Sequence, residues 1–404
     1  MEKINMSTIN QSYRYKFEFI YVDNVNNINT TIRNECCKFI GTTHSYGVNI
    51  MPTMLVEFML DKALLDNMII NMNSNHIIVS QYKYDELSTY KFNMLCFRKK
   101  FFYIINKGVS SHSPIDYTAK TQDEMLGEAF TRVQIGLMPI DLHNVNMKFF
   151  SNTFKNVTSF DIAKYIIKDV PEMLIEPFMY IGNVEQFILI PSKSVNDALK
   201  YLNDNYAFYS TPYIFYMDYY ESYLLSTSGK ETKSEKDQYS SVLISIKDVK
   251  DQSANEIGMS LDNVNKTYVV PVNYVNVSVW NNVINNKVQT KLLGINNNGY
   301  SESELKDSSK YMDDKIRNIH IENNNENMLQ NLTHHHNSSV SVINIDKLGL
   351  DCGLFTLNKS IKIKNIDRYV DLNGLYTMSS KKELYTREDD SFILNTSLTL
   401  SKIE

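Results

Sequence analysis

This sequence has no CxxC pair, no glycine-rich phosphate loop, no dinucleotide fingerprint and no long apolar run. Each absence removes a class of function. Without the glycine motifs, nucleotide chemistry has no foothold. The four cysteines are Cys36, Cys37, Cys96 and Cys352, with Cys36 and Cys37 adjacent. They read as reduced thiols of a chain made in a cytoplasm. No window approaches the ~20 apolar residues needed to span a bilayer. The start, MEKINMSTINQS, carries no apolar signal core. The chain is therefore expected to be made soluble, without signal-peptide export or stable membrane insertion. A formal net charge of -5 leaves no electrostatic footprint for DNA or RNA, so specific nucleic-acid binding is not expected.

What is present points to a folded protein of more than one domain. Of 404 residues, 43% are hydrophobic and 22% charged, the balance of a soluble globular chain. Tyrosine is heavily used, 27 against a single tryptophan, and asparagine is abundant. Tyrosine suits half-buried β faces and subunit interfaces.

Periodicity supplies the elements. Tyr13, Tyr15, Phe17 and Phe19 alternate with Arg14, Lys16 and Glu18, which predicts a strand with one wet face. The run PTMLVEFMLDKALLDNMII after Pro52 reads as a helix, with Leu55, Phe58, Met59, Leu65 and Ile69 near one face. HIIVSQY from His76 and KFNMLCFRKKFFYII to Ile105 read as strands. DEMLGEAFTRV from Asp123 and SFDIAKYIIKDV from Ser159 read as helices, the second stopped by Pro171. EQFILI is a short strand. Ser194 with Asp197 predicts a capping box for a helix whose Val195, Ala198, Leu199, Leu202 and Tyr206 share a face. YIFYM and SYLLS then form a hairpin about Asp218. GKETKSEK from Gly229 reads as a polar linker. In TYVVPVNYVNVSVW the apolar residues shift from even to odd numbers, which predicts a bulge near Tyr274. Residues 295–339 are poor in apolar side chains and read as a long loop or an insertion. VSVINI, IKIK at Ile361 and SFILNTSLTL alternate again, and the last two strands are expected to turn at TREDD.

Candidates for chemistry are few. His334, His335 and His336 stand in a row, but consecutive imidazoles diverge and no ligand cluster sits beside them. They read as a solvated loop or as an adventitious metal contact on a symmetry axis. His112 in SSHSP lacks a nucleophile elbow. The acid pairs Asp389 with Asp390, and Asp218 with Glu221, read as solvated turn residues rather than a glycosidase pair. Arg98, Lys99 and Lys100 read as a sheet-edge gatekeeper, with an anion site as the alternative. No catalytic residue, cofactor site or metal site is therefore assigned. The tyrosines of residues 201–223 leave two readings. They form either a stacking platform for a sugar or base, or a hairpin packed on its helix and on a neighbouring subunit. On the second reading the candidate interface is Tyr206, Tyr209, Tyr213, Tyr219, Tyr220 and Tyr223.

The stretch IPSKSVNDALKYLNDNYAFYSTPYIFYMDYYESYLLSTSG resembles a segment of the baseplate or tail hub proteins of contractile-tailed bacteriophages and related injection machines. The shared pattern is a proline after a strand, a helix ending in tyrosines, then two strands about an aspartate. The ending, IDRYVDLNGLYTMSSKKELYTREDDSFILNTSLTLSKIE, is similar to the hubs' closing hairpin. The resemblance implies an α+β, β-rich fold, with two tube-type β-barrel-like domains and an α/β middle region packed outside. The expected division is 1–108, 109–232 and 233–404, with an Asn-rich insertion or loop at 295–339. It further implies a non-enzymatic virion protein, a homotrimer whose ring joins the tail tube to a central spike or needle and passes DNA. Its partners would be its own copies, the spike, the tail tube protein and other baseplate proteins. It would be made in the host cytoplasm and reside in the tail baseplate. A glycan- or receptor-binding tail tip, and a hub associated with a cell-wall hydrolase, are the alternatives.

Overall fold

The computed structural model describes residues 12–46, 49–85, 94–106, 130–176, 184–185, 187–206, 208–209, 213–226, 232, 241–247, 259–262, 265–273, 276–281, 288–296, 299–304, 315–321, 341–365 and 372–403. His112, the residues 334–336 and the linker at 229–231 and 233–236 lie outside them. The first strands are β1 (Tyr13–Asp23), β2 (Ile28–Ile32), β3 (Cys37–Ser45), β4 (Thr53–Asp61), β5 (His76–Asp85), β6 (Met94–Asn106) and β7 (Phe130–Pro139). In β1 the alternation is realised directly. Tyr15, Phe17, Phe19 and Tyr21 are buried, and the residues between them are half-buried.

The segment after Pro52 departs from the helix reading. Thr53–Asp61 is β4, with Met54, Val56, Phe58 and Leu60 turned inward. Those four residues are in strand phase, and ladders on both sides hold them there. The helix α1 covers only Lys62–Ile70, started by Asp61, whose carboxylate accepts from the N–H groups of Ala63 and Leu64. The second expected helix, from Asp123, lies outside the described residues up to 129, and its last residues Phe130–Val133 belong to β7.

The middle region holds α2 (Ile140–Asn146), α3 (Ser159–Ile166) and α4 (Val195–Tyr206), with short strands β8 (Phe149–Phe154), β9 (Val157–Thr158), β10 (Met173–Ile175), β11 (Val184–Glu185), β12 (Ile188–Ser194), β13 (Tyr213–Met217) and β14 (Ser222–Ser226). Ser194 caps α4 as expected: the Asp197 N–H donates to its Oγ at 3.2 Å, and that hydroxyl donates to the Asp197 carboxylate at 2.8 Å. Val195, Ala198, Leu199 and Leu202 are buried. They share a core with Ile162, Ala163 and Ile166 of α3.

The remaining strands are β15 (Ser241–Lys247), β16 (Ser260–Asp262), β17 (Thr267–Asn273), β18 (Val277–Asn281), β19 (Val288–Asn296), β20 (Gly299–Glu304), β21 (Lys315–Ile321), β22 (Ser341–Leu348), β23 (Ser360–Asn365), β24 (Gly374–Glu388) and β25 (Ser391–Lys402). Two local readings change here. β17 and β18 join opposite ends of the sheet, so the phase change near Tyr274, which lies outside the described residues, separates two strands instead of marking a bulge. The apolar-poor region is not all loop: β19, β20 and β21 form a three-stranded sheet of their own.

Pairing closes the first module. The order β24-β3-β4-β7-β6-β5-β1-β25 returns to β24 as an eight-stranded antiparallel barrel. Its sheet therefore crosses both expected division points, taking β7 from beyond residue 108 and β24 and β25 from the end of the chain. The same hairpin continues into a second module, β16-β17-β15-β23-β24-β25-β22-β18. A bulge at Ser379 makes this sharing possible, because Met378 faces Leu400 while Ser380 faces Thr399. The extra residue moves the inward set of β24 from even numbers (Tyr376, Met378) to odd ones (Lys381, Glu383, Tyr385) without changing the face. Tyr385, Phe392 and Leu394 thus fill the first core, and Tyr376, Met378, Leu398 and Leu400 fill the second.

Candidate functional site

Two places stand out, an inner polar seam and an outer apolar row. The seam forms where the β13–β14 hairpin meets the barrel. Ile214 and Tyr216 of the hairpin enter the second core, Phe215, Met217 and Leu224 enter the middle core, and Tyr219 enters the first. Tyr219 stacks on Phe97 at 5.1 Å between centroids, and Tyr220 donates from its hydroxyl to Gln81 Oε1 at 2.7 Å. One short hairpin therefore ties three cores together.

Behind the hairpin lie His44, Asp218, Lys381 and Glu383, all buried. Lys381 Nζ is 3.0 Å from Glu383 Oε1, with the two side chains 1% and 3% exposed. The distance is that of a buried ion pair. His44 stands between the two carboxylates, 3.8 Å from Asp218 and 3.9 Å from Glu383, and its Nδ1 is 3.1 Å from the Tyr216 hydroxyl. Burial alone would raise the Glu383 pKa. The Lys381 charge, aided by His44, outweighs it and holds the carboxyl at about 2. Burial would lower Lys381, and the negative charges of Glu383 and Asp218 raise it instead. Burial pushes the phenols of Tyr216, Tyr219, Tyr220 and Tyr385 well up, so they stay neutral.

The outer row is apolar. Cross-strand registers place Leu384, Gly41, Leu55, Gly136 and Ile104 side by side across β24, β3, β4, β7 and β6. Leu384, Leu55 and Ile104 are 42%, 37% and 61% exposed. The two glycines leave notches between them, and a methyl group added at either would meet only a backbone oxygen at about 4 Å. Beside this row is a groove of about 810 Å³ lined by Lys38, Phe39, Glu57, Met59, Arg132, Leu384 and Thr386. Glu57 is buried at its floor, clamped by Arg132 Nε at 2.7 Å.

Against this geometry the expected site residues sort as follows. Tyr209, Tyr219 and Tyr223 are buried inside the chain, while Tyr206, Tyr213 and Tyr220 are half-buried. Tyr209 donates to the Glu176 and Leu224 carbonyls, and Tyr213 packs on Phe208. A stacking platform needs exposed faces, and these rings spend most of theirs on neighbours in the same chain. Asp218 is not a solvated turn residue: it is buried and accepts from the Tyr219 N–H. Asp389 and Asp390 do sit exposed at a hairpin tip, Asp389 with φ 52°. Arg98, Lys99 and Lys100 pair with β5, whereas β7 pairs only from Phe101 onward. Among the described residues that half of β6 has no strand on its other side. Among the described residues no group of three or more His, Cys, Asp or Glu is placed to hold a metal, and no helix is long and apolar enough to cross a membrane.

Similar folds are known. A tail protein from Neisseria meningitidis superposes with a TM-score of 0.57 over 96% of this chain and 96% of its own, at 6% identity. A 43 kDa tail protein of prophage MuSo2 from Shewanella oneidensis gives 0.50 over 94% and 97%, at 10% identity. This is the tail-protein fold. In a Francisella PdpA-VgrG complex the match reaches 0.50 over 98% of this chain but 53% of the other, at 11% identity. No family model and no curated protein matches the sequence. The tail-protein fold agrees with the β-rich α+β class expected from the hub resemblance.

The seam and the outer row were missed at the level of sequence. KKELY does carry a signal: Lys381 and Glu383 fall in phase with Tyr385, and charges on an inward face call for partners. The outer row has no such signal, because it exists only once the registers are set.

Proposed function

We propose that the chain is a structural virion protein, the hub of a tail baseplate, that works by assembly and not by catalysis. The observation that carries this reading is the tail-protein fold, matched over nearly the whole of two tail proteins. In this reading three copies form a ring about a common axis. The ring joins the tail tube to a central spike, contacts other baseplate proteins and leaves a passage for DNA.

The molecule supports self-association physically. An apolar strip with notches favours a closely packed cover, and another copy of the chain is the proposed cover for the Leu384–Ile104 row. Closed rings also protect the edges of the shared sheet. The test is native mass measurement on the purified chain, alone and with a spike protein. A trimer is expected, and Ile104→Asp, at the most exposed position of the row, should dissociate it while the monomer keeps its far-UV circular dichroism. A monomer at high concentration, with and without the spike, would overturn the reading.

A further inference from the structure

We propose that Cys96 and Cys352 are a redox modification site, a reversible disulfide that rivets the first barrel to the second β module. Their sulfurs lie 4.0 Å apart although the residues are 256 positions apart in the chain. This proximity is built by two separate devices.

The first device is a bulge in β6. Gln81 faces Phe97 and Tyr82 faces Leu95, so Cys96 is the extra residue with no partner of its own. A bulge re-aims the side chain it carries, and here it directs a half-buried thiol toward Cys352. The second device pins Cys352. Its backbone N–H donates to the Tyr15 hydroxyl at 2.7 Å, and that hydroxyl donates to the Leu350 carbonyl at 2.7 Å. Lys83 grips both carboxylate oxygens of the preceding Asp351, at 2.8 and 2.6 Å. The loop sits on the boundary between modules: Cys352 packs in the first core, while Leu350 and Leu354 pack in the second. Cys96 packs against that same first core, so a bond between the two sulfurs would tie β6 of the barrel to the loop that runs on into the second core.

For a disulfide the sulfurs would have to close from 4.0 Å to about 2.05 Å. Cys96 is the accessible thiol, and the hydrogen bond to Cys96 together with burial holds the Cys352 thiol up, so Cys96 attacks first. With a low-molecular-weight disulfide as oxidant, the Cys96 thiolate attacks one of its sulfurs and expels a thiolate, leaving a mixed disulfide. Cys352, deprotonated, then attacks the Cys96 sulfur and expels the second thiolate. The protein loses two thiol hydrogens and two electrons, and the oxidant becomes two thiols. A chain kept reduced in a cytoplasm would form the rivet on reaching an oxidising medium.

The experiment uses the full chain, purified reduced, treated with oxidised glutathione, alkylated and digested without reduction. The expected result is one species in which the Cys96 and Cys352 peptides are joined, with a higher thermal midpoint that dithiothreitol reverses. Cys96→Ser, a half-exposed change, should leave Cys352 alkylatable after unfolding and abolish the rise. A persistent glutathione adduct at Cys96 with Cys352 still a thiol, or a link between Cys36 and Cys37 instead, would overturn the proposal. The peptide map of the unmutated chain decides this without any variant, and independently of the assembly reading.

Discussion

The Lys381–Glu383 pair makes a demand that can be measured. At 3.0 Å and an effective dielectric of ~20, the attraction is about 5 kcal/mol. Breaking a buried pair by removing one partner costs ~3–5 kcal/mol, because the other charge stays behind in a dry place. The two members are not equivalent here. Glu383→Gln leaves Lys381 with Asp218, which still contributes to holding its proton. Lys381→Met leaves both Glu383 and Asp218 around His44. Glu383→Gln should therefore cost about 3 kcal/mol and Lys381→Met about 5. The double variant, with no unpaired charge from this pair, should cost no more than the larger single. Urea titrations followed by far-UV circular dichroism give the four corners of the cycle. Single losses below ~1 kcal/mol, or losses that add within ~0.5 kcal/mol, would refute the view that the seam is an electrostatic unit.

The same pair predicts an acid transition. The Glu383 carboxyl is depressed in the folded state, so it stabilises the protein above its ordinary range, and this is lost as pH falls from about 4.5 toward about 2. The loss is about 3 kcal/mol, visible as a falling thermal midpoint, and should be missing in Glu383→Gln. Tyr219 offers a contrast between ring and hydroxyl: its OH is buried without a hydrogen-bond partner among the described residues, and its ring packs on Phe97 and Phe101. Tyr219→Phe should be neutral or stabilising, whereas Tyr219→Ala should cost ~3–5 kcal/mol, both read by thermal denaturation. Ser194→Ala removes the α4 cap and should cost ~1 kcal/mol on the same measurement.

Legibility followed the distance between cause and effect along the chain. Elements governed by local period were readable: β1, α3, α4, the β13–β14 hairpin and the closing hairpin all stand where alternation or helical spacing put them. The failure after Pro52 is instructive. MLVEFML satisfies both periods, since Met54, Val56, Phe58 and Leu60 alternate while Leu55, Phe58 and Met59 also fall near one helical face. Local pattern could not arbitrate, and pairing with β3 and β7 did. The seam required Lys381, Glu383, His44 and Asp218 to meet from three separate regions of the chain. The outer row required four registers at once.

The shared hairpin explains why these long-range terms dominate. β1 near the start pairs with β25 near the end, and β3 pairs with β24, so the barrel cannot close until the last residues are present. Until then β3 and the Arg14–Tyr15 end of β1 lack their partner strands, and the ring of Phe17 lacks its cover from Tyr385 and Phe392. Loop-closure entropy is spent before those contacts form, which slows such topologies. The arrangement also makes the two modules one cooperative object. The strands that close the first barrel are the central strands of the second sheet, and the buried Lys381–Glu383 pair sits on one of them, β24, between its second-core residues Tyr376 and Met378 and its first-core residue Tyr385. A force or a partner acting on either module would be passed to the other through β24 and β25, which belong to both. That is the mechanical property the ring proposed above would need.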